Sequence, residues 1–549
     1  MSARKLRTRH PTGSFLKPGD ALNDASANRS FTERINNSPF FQFLLLFGFA
    51  LLVFSPTLFH PYVDIDEVLW GEFANAVLRG CPPYVCVIGE KPPLLYLLYS
   101  GIFSLFGRNH YLAIHVFHLF WVSFSAWLLC RIPYSGSVEK SSKTFFLLPG
   151  FFYLLLFGLP ELRTLAATGE SFMNLFLILS WWLFLQALRS PSLARSFGVG
   201  FFVGLGSLFR HQAVMQAAAF GAYLVGTTAF GKKKERQLFS SLLPLIGMTA
   251  GIATVWALTY WLLVAWGSWD SFYQWGILHN FGYIRSGGRA PGVWLTTLEN
   301  AGLFFGWTIV FWIFAVVGMK KDASQDSSPA LAILILLFSC LAASAGFRFF
   351  THYWIQSFPA LSILSARGFQ ALEGNSRRKT RYRLACIGLM ASLGAVLFQN
   401  ARAENLLEAD STQDYATINR KVGSYLRDKT TAEDLIVVWG WGQGIYYYSN
   451  RGMGTRFIAS DFLTGRIPGS QAALYTDEQL RRFAKPHAWE EFFEDLNKNR
   501  PVYFVDTSGA GMHDYQYFPP SRYPLLFQTL QKNYQEEATM DGVKLYRRK

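Results

Sequence analysis

Apolar blocks as long as a bilayer core is thick recur along this chain, at 40–59, 112–129, 171–188 and 238–264 among others. About 20 consecutive apolar residues carry a helix across a hydrocarbon core of about 30 Å. A chain built from such blocks folds as a polytopic helical membrane protein. The composition agrees: of 549 residues 51% are hydrophobic, 17% aromatic and only 16% charged, where a soluble domain is about a quarter charged.

The formal net charge of +15 raises the question of nucleic acid. Its distribution argues against that partner. From residue 400 onward 19 Lys/Arg offset 19 Asp/Glu, so the excess lies in the N-terminal tail and in loops between apolar blocks. That is the pattern of topology-setting charge, not of a basic groove. The tail and the loops 131–143, 189–195, 231–237, 320–328 and 367–383 hold 24 Lys/Arg, and the other loops of the membrane part hold eight. Placing the basic loops in the cytoplasm leaves room for one crossing between residues 60 and 131. The apolar run 94–106 is shorter than a span and follows Pro92-Pro93, so it is expected to lie on the outer face as a juxtamembrane helix. Eleven crossings follow, near 40–59, 111–130, 144–160, 171–188, 197–212, 214–230, 238–265, 300–319, 329–347, 351–366 and 384–400.

The expected organisation is a disordered cytoplasmic tail at 1–38, a transmembrane region at 39–400 and an extracytoplasmic α/β region at 401–549. The transmembrane region includes a first outer loop at 60–110 with juxtamembrane helices. The first apolar block follows a polar tail, so no cleavable leader is expected. In the C-terminal region 434–441 and 501–506 read as buried strands, with 542–546 a weaker third. Residues 414–427 and 476–497 read as amphipathic helices, and Gly440-Trp441-Gly442-Gln443-Gly444 as a turn. Cys130, Cys340 and Cys386 fall in or beside apolar blocks. Cys81 and Cys86 share the first outer loop, where a disulfide or two free thiols are both open readings.

This topology gathers ionisable residues at the outer helix ends: Asp64, Asp66, Glu67, Glu72, Glu90, Lys91, Glu161, Arg163, Glu170, Arg210, His211, His279, Arg348 and His352. Acids, histidines and cations together suit group transfer near the lipid headgroups. The plainer alternative is a polar helix N-terminus at 64–67, where the helix dipole favours carboxylates. Arg210-His211-Gln212 equally reads as an ordinary helix end, and His279 as a loop residue.

The Asp66-Glu67 pair, the segment Glu90-Lys91-Pro92-Pro93-Leu94 and the run Phe350-Thr351-His352-Tyr353 together resemble the GT-C glycosyltransferases. The likeness is to the lipid A aminoarabinose transferases and protein O-mannosyltransferases. It covers 40–400 in layout and is most specific over 60–107. The resemblance implies a GT-C type fold of about 11–13 transmembrane helices with a small α/β extracytoplasmic C-terminal domain. It also implies a polyprenyl-phosphate-linked sugar donor, a glycolipid or protein acceptor, and a bacterial inner membrane with its active site on the periplasmic face.

Such a reaction needs a carboxylate to take the acceptor hydroxyl's proton and cations to hold the departing phosphate. Asp66 matches the family aspartate, with Glu67 and Asp64 beside it. Lys91 matches the phosphate-binding lysine, and Arg210, Arg348 and His352 are candidates to complete the anion clamp. Glu90, Glu170 and Tyr353 are assigned to substrate. No cofactor is required, although Asp64-x-Asp66 leaves a divalent cation open. Competing readings are a metal-dependent oligosaccharyltransferase or glycan ligase, and a polyprenyl-lipid flippase. Against the oligosaccharyltransferase, Val438-Trp439-Gly440-Trp441 lacks the aspartate of its Trp-Trp-Asp-Tyr-Gly signature. Against the flippase, no repeated halves are evident.

Overall fold

The first helix starts where its sequence provides a cap. Ser38 is extended, its hydroxyl accepts the Phe41 N–H, and Pro39 occupies the first helical turn, where its missing N–H costs nothing. This is α1 (Pro39–Phe54) in a computed structural model that describes residues 38–132, 146–230, 234–320, 329–373, 379–401 and 413–549. The tail expected at 1–38, up to residue 37, and parts of the basic loops lie outside the described residues.

The chain continues as α2 (Ile65–Leu78), α3 (Pro93–Phe106), α4 (Tyr111–Leu129), α5 (Leu148–Phe157), α6 (Gly169–Arg189), α7 (Leu193–Ser207), α8 (Val214–Phe230) and α9 (Lys234–Ala265). A helical turn at Trp269–Phe272 and a π-type stretch at Tyr273–Leu278 lead into α10 (His279–Gly287). Then come α11 (Val293–Gly318), α12 (Ala330–Ser344), a 3-10 segment Thr351–Ser357, α13 (Phe358–Glu373) and α14 (Lys379–Ala401). The architecture is a polytopic helical membrane protein.

Among the described residues six stretches are long and apolar enough to cross a membrane: Pro39–Leu58, Tyr111–Leu129, Gly169–Arg189, Leu243–Ala265, Val293–Gly318 and Thr380–Ala401. The expected crossing at 214–230 coincides with α8, and the other expected crossings are shorter or broken here. The block at 144–160 gives only α5, 10 residues long, with part of its sequence outside the described residues. The block at 351–366 is split between a 3-10 segment and α13. The glycine-rich block at 197–212 ends as α7 at Ser207. Glycines on both helices serve packing: a Cβ on Gly200 of α7 would sit 1.9 Å from the Met248 carbonyl oxygen, and one on Gly251 of α9 would sit 2.2 Å from that of Phe197. The backbones of α7 and α9 therefore touch, as small residues allow between membrane helices.

Helix α3 is 14 residues, about 21 Å at 1.5 Å per residue. Leu95, Tyr96, Tyr99, Ile102 and Phe103 are buried while Leu105 and Phe106 are exposed. One face is thus committed to the protein, in keeping with a short juxtamembrane helix.

The C-terminal part is a small sheet domain. It opens with α15 (Gln413–Lys429). Its strands are β1 (Leu435–Trp439), β2 (Gly452–Met453), β3 (Tyr503–Asp506), β4 (Tyr534–Met540) and β5 (Val543–Arg548), in the order β2-β1-β3-β5-β4. β1 runs parallel to β2 and β3, β5 antiparallel to β3 and β4. Strand β4 is absent from the sequence reading, because Tyr-Gln-Glu-Glu-Ala-Thr-Met has no apolar alternation and is largely exposed. Asp541 (φ 47°) and Gly542 (φ 86°) turn it into β5, the Asp-Gly pairing that a tight hairpin favours. The helix expected at 476–497 is two, Asp477–Phe483 and Ala488–Asn499. Pro486 lies between them and cannot continue the first. A six-residue helix, Gly444–Ser449, follows the turn at Gly440.

Candidate functional site

Helix α2 begins at a carboxylate. Asp64 is extended, and its Oδ1 accepts the Asp66 N–H at 2.9 Å. This is an N-cap, and it puts Asp66 and Glu67 in the first turn, where the helix dipole favours negative charge. The two then diverge. Asp66 lines a cavity of about 820 Å³. Glu67 is 0% exposed and absent from the cavity wall. Its Oε2 accepts the Val63 N–H at 2.7 Å and faces His115 Nε2 at 3.1 Å, while its Oε1 accepts the Ala167 N–H at 2.7 Å. Burial alone would raise the Glu67 pKa, but His115 and these hydrogen bonds outweigh it and hold the carboxyl below its usual range. The expected catalytic Glu67 is therefore a bracket between α2, α4 and the segment before α6.

The Asp66 carboxyl is pushed up to about 7, first by burial and then by the neighbouring Asp64 charge, with Lys91 opposing. Such a group changes protonation near neutrality, as a general base requires.

Lys91 is carried on a braced loop. The Cys81–Cys86 disulfide forms and encloses Tyr84, which is buried against Phe73, Tyr96 and Phe272. Tyr84 Oη donates to the Lys91 carbonyl at 2.8 Å, and the Lys91 N–H donates to Tyr96 Oη at 3.2 Å. Asn280 Nδ2 donates to the Glu90 carbonyl at 2.8 Å. The Lys91 ammonium meets Glu90 Oε1 at 2.7 Å, and His279 Nε2 lies 3.5 Å from Glu90 Oε2. Burial would raise the Glu90 pKa, but Lys91 and His279 more than offset it and hold the carboxyl well below its ordinary range. His279 belongs to α10 rather than to a loop, and this explains its reach to Glu90.

Of the residues singled out in the sequence, Asp64, Asp66, Glu90, Lys91, Glu161, Arg163, His279, His352 and Tyr353 line this cavity. Arg210 and Glu170 are not in its wall but pair at 2.5 Å directly behind it, and the Arg210 guanidinium lies 4.9 Å from the Tyr353 ring centroid. Arg348 is 0% exposed and is not in the wall. It donates to the Pro468 carbonyl and packs 4.6 Å from the Tyr283 ring, holding a loop of the C-terminal part. Pro468 and Tyr283 themselves line the cavity, so Arg348 stands behind its wall, with Nε and Nη2 making no hydrogen bond among the described residues.

The sequence reading missed half of the wall. Trp441, Asp461, Arg466, Arg482, Lys485 and His513 come from the C-terminal part. Asp461 and Arg466 pair at 3.1 Å, and Tyr515 Oη donates to Asp461 at 3.0 Å. Lys485 sits at the break that Pro486 imposes between two helices, the one local signal that could have drawn notice. Among the described residues no group of three or more His, Cys, Asp or Glu could hold a metal ion.

No protein-family model matches the chain, and no curated protein does. Solved structures do match. ArnT from Cupriavidus metallidurans, in the apo state, aligns over 93% of this chain and 98% of its own, at 14% identity and a TM-score of 0.55. The oligosaccharyltransferase of Archaeoglobus fulgidus, in the apo form, aligns over 92% of this chain and 74% of its own, at 13% identity and a TM-score of 0.50. Both are GT-C proteins, and the fold of this chain is the GT-C fold.

Proposed function

We propose that this chain is an integral-membrane glycosyltransferase. It moves a sugar from a polyprenyl-phosphate-linked donor to a hydroxyl of a cell-envelope acceptor, either a glycolipid such as lipid A or a protein. In this reading residues 39–400 form the transmembrane part of a bacterial inner-membrane protein. The first loop at 60–110 and residues 401–549 face the periplasm, and membrane lipids and the donor are its immediate partners.

One observation carries the reading. A carboxyl poised at about 7, Asp66, shares a cavity with a braced cation, Lys91. The acceptor oxygen attacks the anomeric carbon and gives its proton to Asp66. The bond from that carbon to the phosphate oxygen breaks on the opposite face, so configuration inverts. The polyprenyl phosphate leaves with the electron pair and one more negative charge than the ester carried. Lys91 meets that charge, with Arg210 adding positive potential from behind the Tyr353 ring. A GT-C fold, also that of ArnT and of an oligosaccharyltransferase, supports glycosyl transfer as the reaction class.

Asp64 and Asp66 fit a divalent cation poorly. Asp64 Oδ1 is committed to the helix cap, and no third acidic, histidine or cysteine ligand completes a site among the described residues. The scheme therefore routes no step through a metal.

The test uses purified full-length protein with a sugar-loaded polyprenyl phosphate, following release of free polyprenyl phosphate by mass spectrometry. Asp66→Asn and Lys91→Ala are each expected to lose at least about a hundredfold in rate while accumulating normally. Full activity in either variant overturns the assignment. Lipid translocation without release of polyprenyl phosphate would point instead to a flippase.

A further inference from the structure

A second cavity of about 330 Å³ adjoins the first and shares Asp64, Ile65, Glu161, Arg163, Tyr415, Trp441 and His513 with its wall. Lys91 and Asp66 line only the larger one. The smaller is closed by the C-terminal part, through Tyr415 and Asn419 of α15, the Gly440 turn with Trp441, and Tyr448 and His513. Aromatic rings dominate it. Trp441 lies 5.3 Å from the His513 ring and Tyr415 lies 6.0 Å from it, while Tyr62 packs on Tyr448 at 6.2 Å.

Set among these rings are polar atoms with no partner among the described residues: Trp441 Nε1, Asn419 Oδ1 and Gln399 Oε1. Asn419 is only 5% exposed. Leaving such groups unsatisfied is unfavourable, so the site is complementary to a ligand that offers both donors and acceptors. The ligand must also offer an apolar face to the rings. A pyranose ring does both, with C–H faces and a rim of hydroxyls. The charged liners are Asp64, Glu161 and Arg163, a set with no excess of positive charge, which disfavours phosphate.

We propose that this smaller cavity binds a neutral pyranose ring of the acceptor, presenting its hydroxyl across the shared wall to Asp66. The inference rests on the glycosyltransferase reading and narrows its acceptor to one that carries sugar at the reacting end. It also gives the C-terminal part a role, since that part supplies most of the cavity's rings, Tyr415, Trp441, Tyr448 and His513.

The test uses full-length protein in nanodiscs with methyl hexopyranosides as probes, read by saturation-transfer NMR. Wild type and Lys91→Ala are expected to bind the probe alike, and Trp441→Ala to bind it about tenfold more weakly. Asn419→Ala, which keeps every ring, is expected to weaken it in the same direction and serves if Trp441→Ala fails to fold. In turnover with a polyprenyl-phosphate hexose, Trp441→Ala should raise the KM for methyl hexopyranoside as acceptor and leave the donor KM unchanged. Undiminished binding in both variants overturns the proposal. So does displacement of the pyranoside by the donor alone, which would assign the ring to the donor's sugar. Absence of polyprenyl phosphate release in wild type would defeat the glycosyltransferase reading, while the binding arm still decides whether the cavity takes a pyranose.

Discussion

Glu67 Oε2 and His115 Nε2 meet 3.1 Å apart, both closed to solvent, and tie the first turn of α2 to α4. The same carboxylate also fixes the backbone at Val63 and Ala167. The helix that presents Asp66 to the cavity is therefore pinned by the residue next to it.

Removing one partner of a buried pair strands the other. Glu67→Ala and His115→Ala are each expected to lower stability by about 3–5 kcal/mol, measured by denaturant unfolding in detergent. A Glu67 variant that keeps wild-type stability but loses all transfer would instead make Glu67 a reacting group.

The raised Asp66 carboxyl sets a pH limb. A base with a pKa of about 7 is protonated below that pH, so the rate should fall about tenfold per unit as pH drops beneath it. Asp64→Asn keeps a good cap and removes a charge that raises the Asp66 pKa, so the limb should move to lower pH. Lys91 acts in the opposite sense, and neutralising it should move any residual activity to higher pH. A limb unmoved by Asp64→Asn counts against Asp66 as the base.

Tyr84 steadies Lys91 through one hydrogen bond to its carbonyl. Tyr84→Phe removes only that hydroxyl and should raise the donor KM about two- to tenfold with the thermal midpoint little changed. Replacing Cys81 and Cys86 by serine opens the loop that encloses Tyr84 and should shift the donor KM the same way. A change confined to kcat would argue for a different role.

The proposed topology places residue 521 in the periplasm and residue 190 in the cytoplasm, both exposed. In a background with Cys130, Cys340 and Cys386 replaced by alanine, Ser521→Cys in intact cells should react with a membrane-impermeant maleimide, and Ser190→Cys only after lysis. The reverse pattern would put the cavity on the cytoplasmic side.

Transfer is expected to persist in excess EDTA, because Asp64 is committed to its cap. Loss of activity in chelator, restored by a divalent cation, would return the metal-dependent reading.

Much of the layout was legible because it is written locally. The length of apolar runs, the sign of the loops between them and the shortness of 94–106 are properties of contiguous residues. So is the Asp64-Ile65-Asp66-Glu67 helix start, where the capping carboxylate is the first of the three acids. The C-terminal strands at 434–441 and 501–506 showed through their unbroken apolar runs. Strand β4, polar and exposed, did not.

The site divides along the same line. Sequence placed Asp66, Glu90 and Lys91 within one loop, but it held no sign that Glu67 meets His115 or that Arg348 meets the Pro468 carbonyl. Adjacent residues on a helix point about 100° apart, so Asp66 and Glu67 face different neighbours, and only packing says which. His115, 48 positions away, claims Glu67; Pro468, 120 positions away, claims Arg348. The sequence by itself determined a helical membrane protein and the loop where its chemistry gathers, because bilayer length and charge sign are local constraints. The tertiary structure alone decided which carboxylate lines the cavity and which is tied up in hydrogen bonds, because hydrogen-bond satisfaction depends on partners distant in the chain.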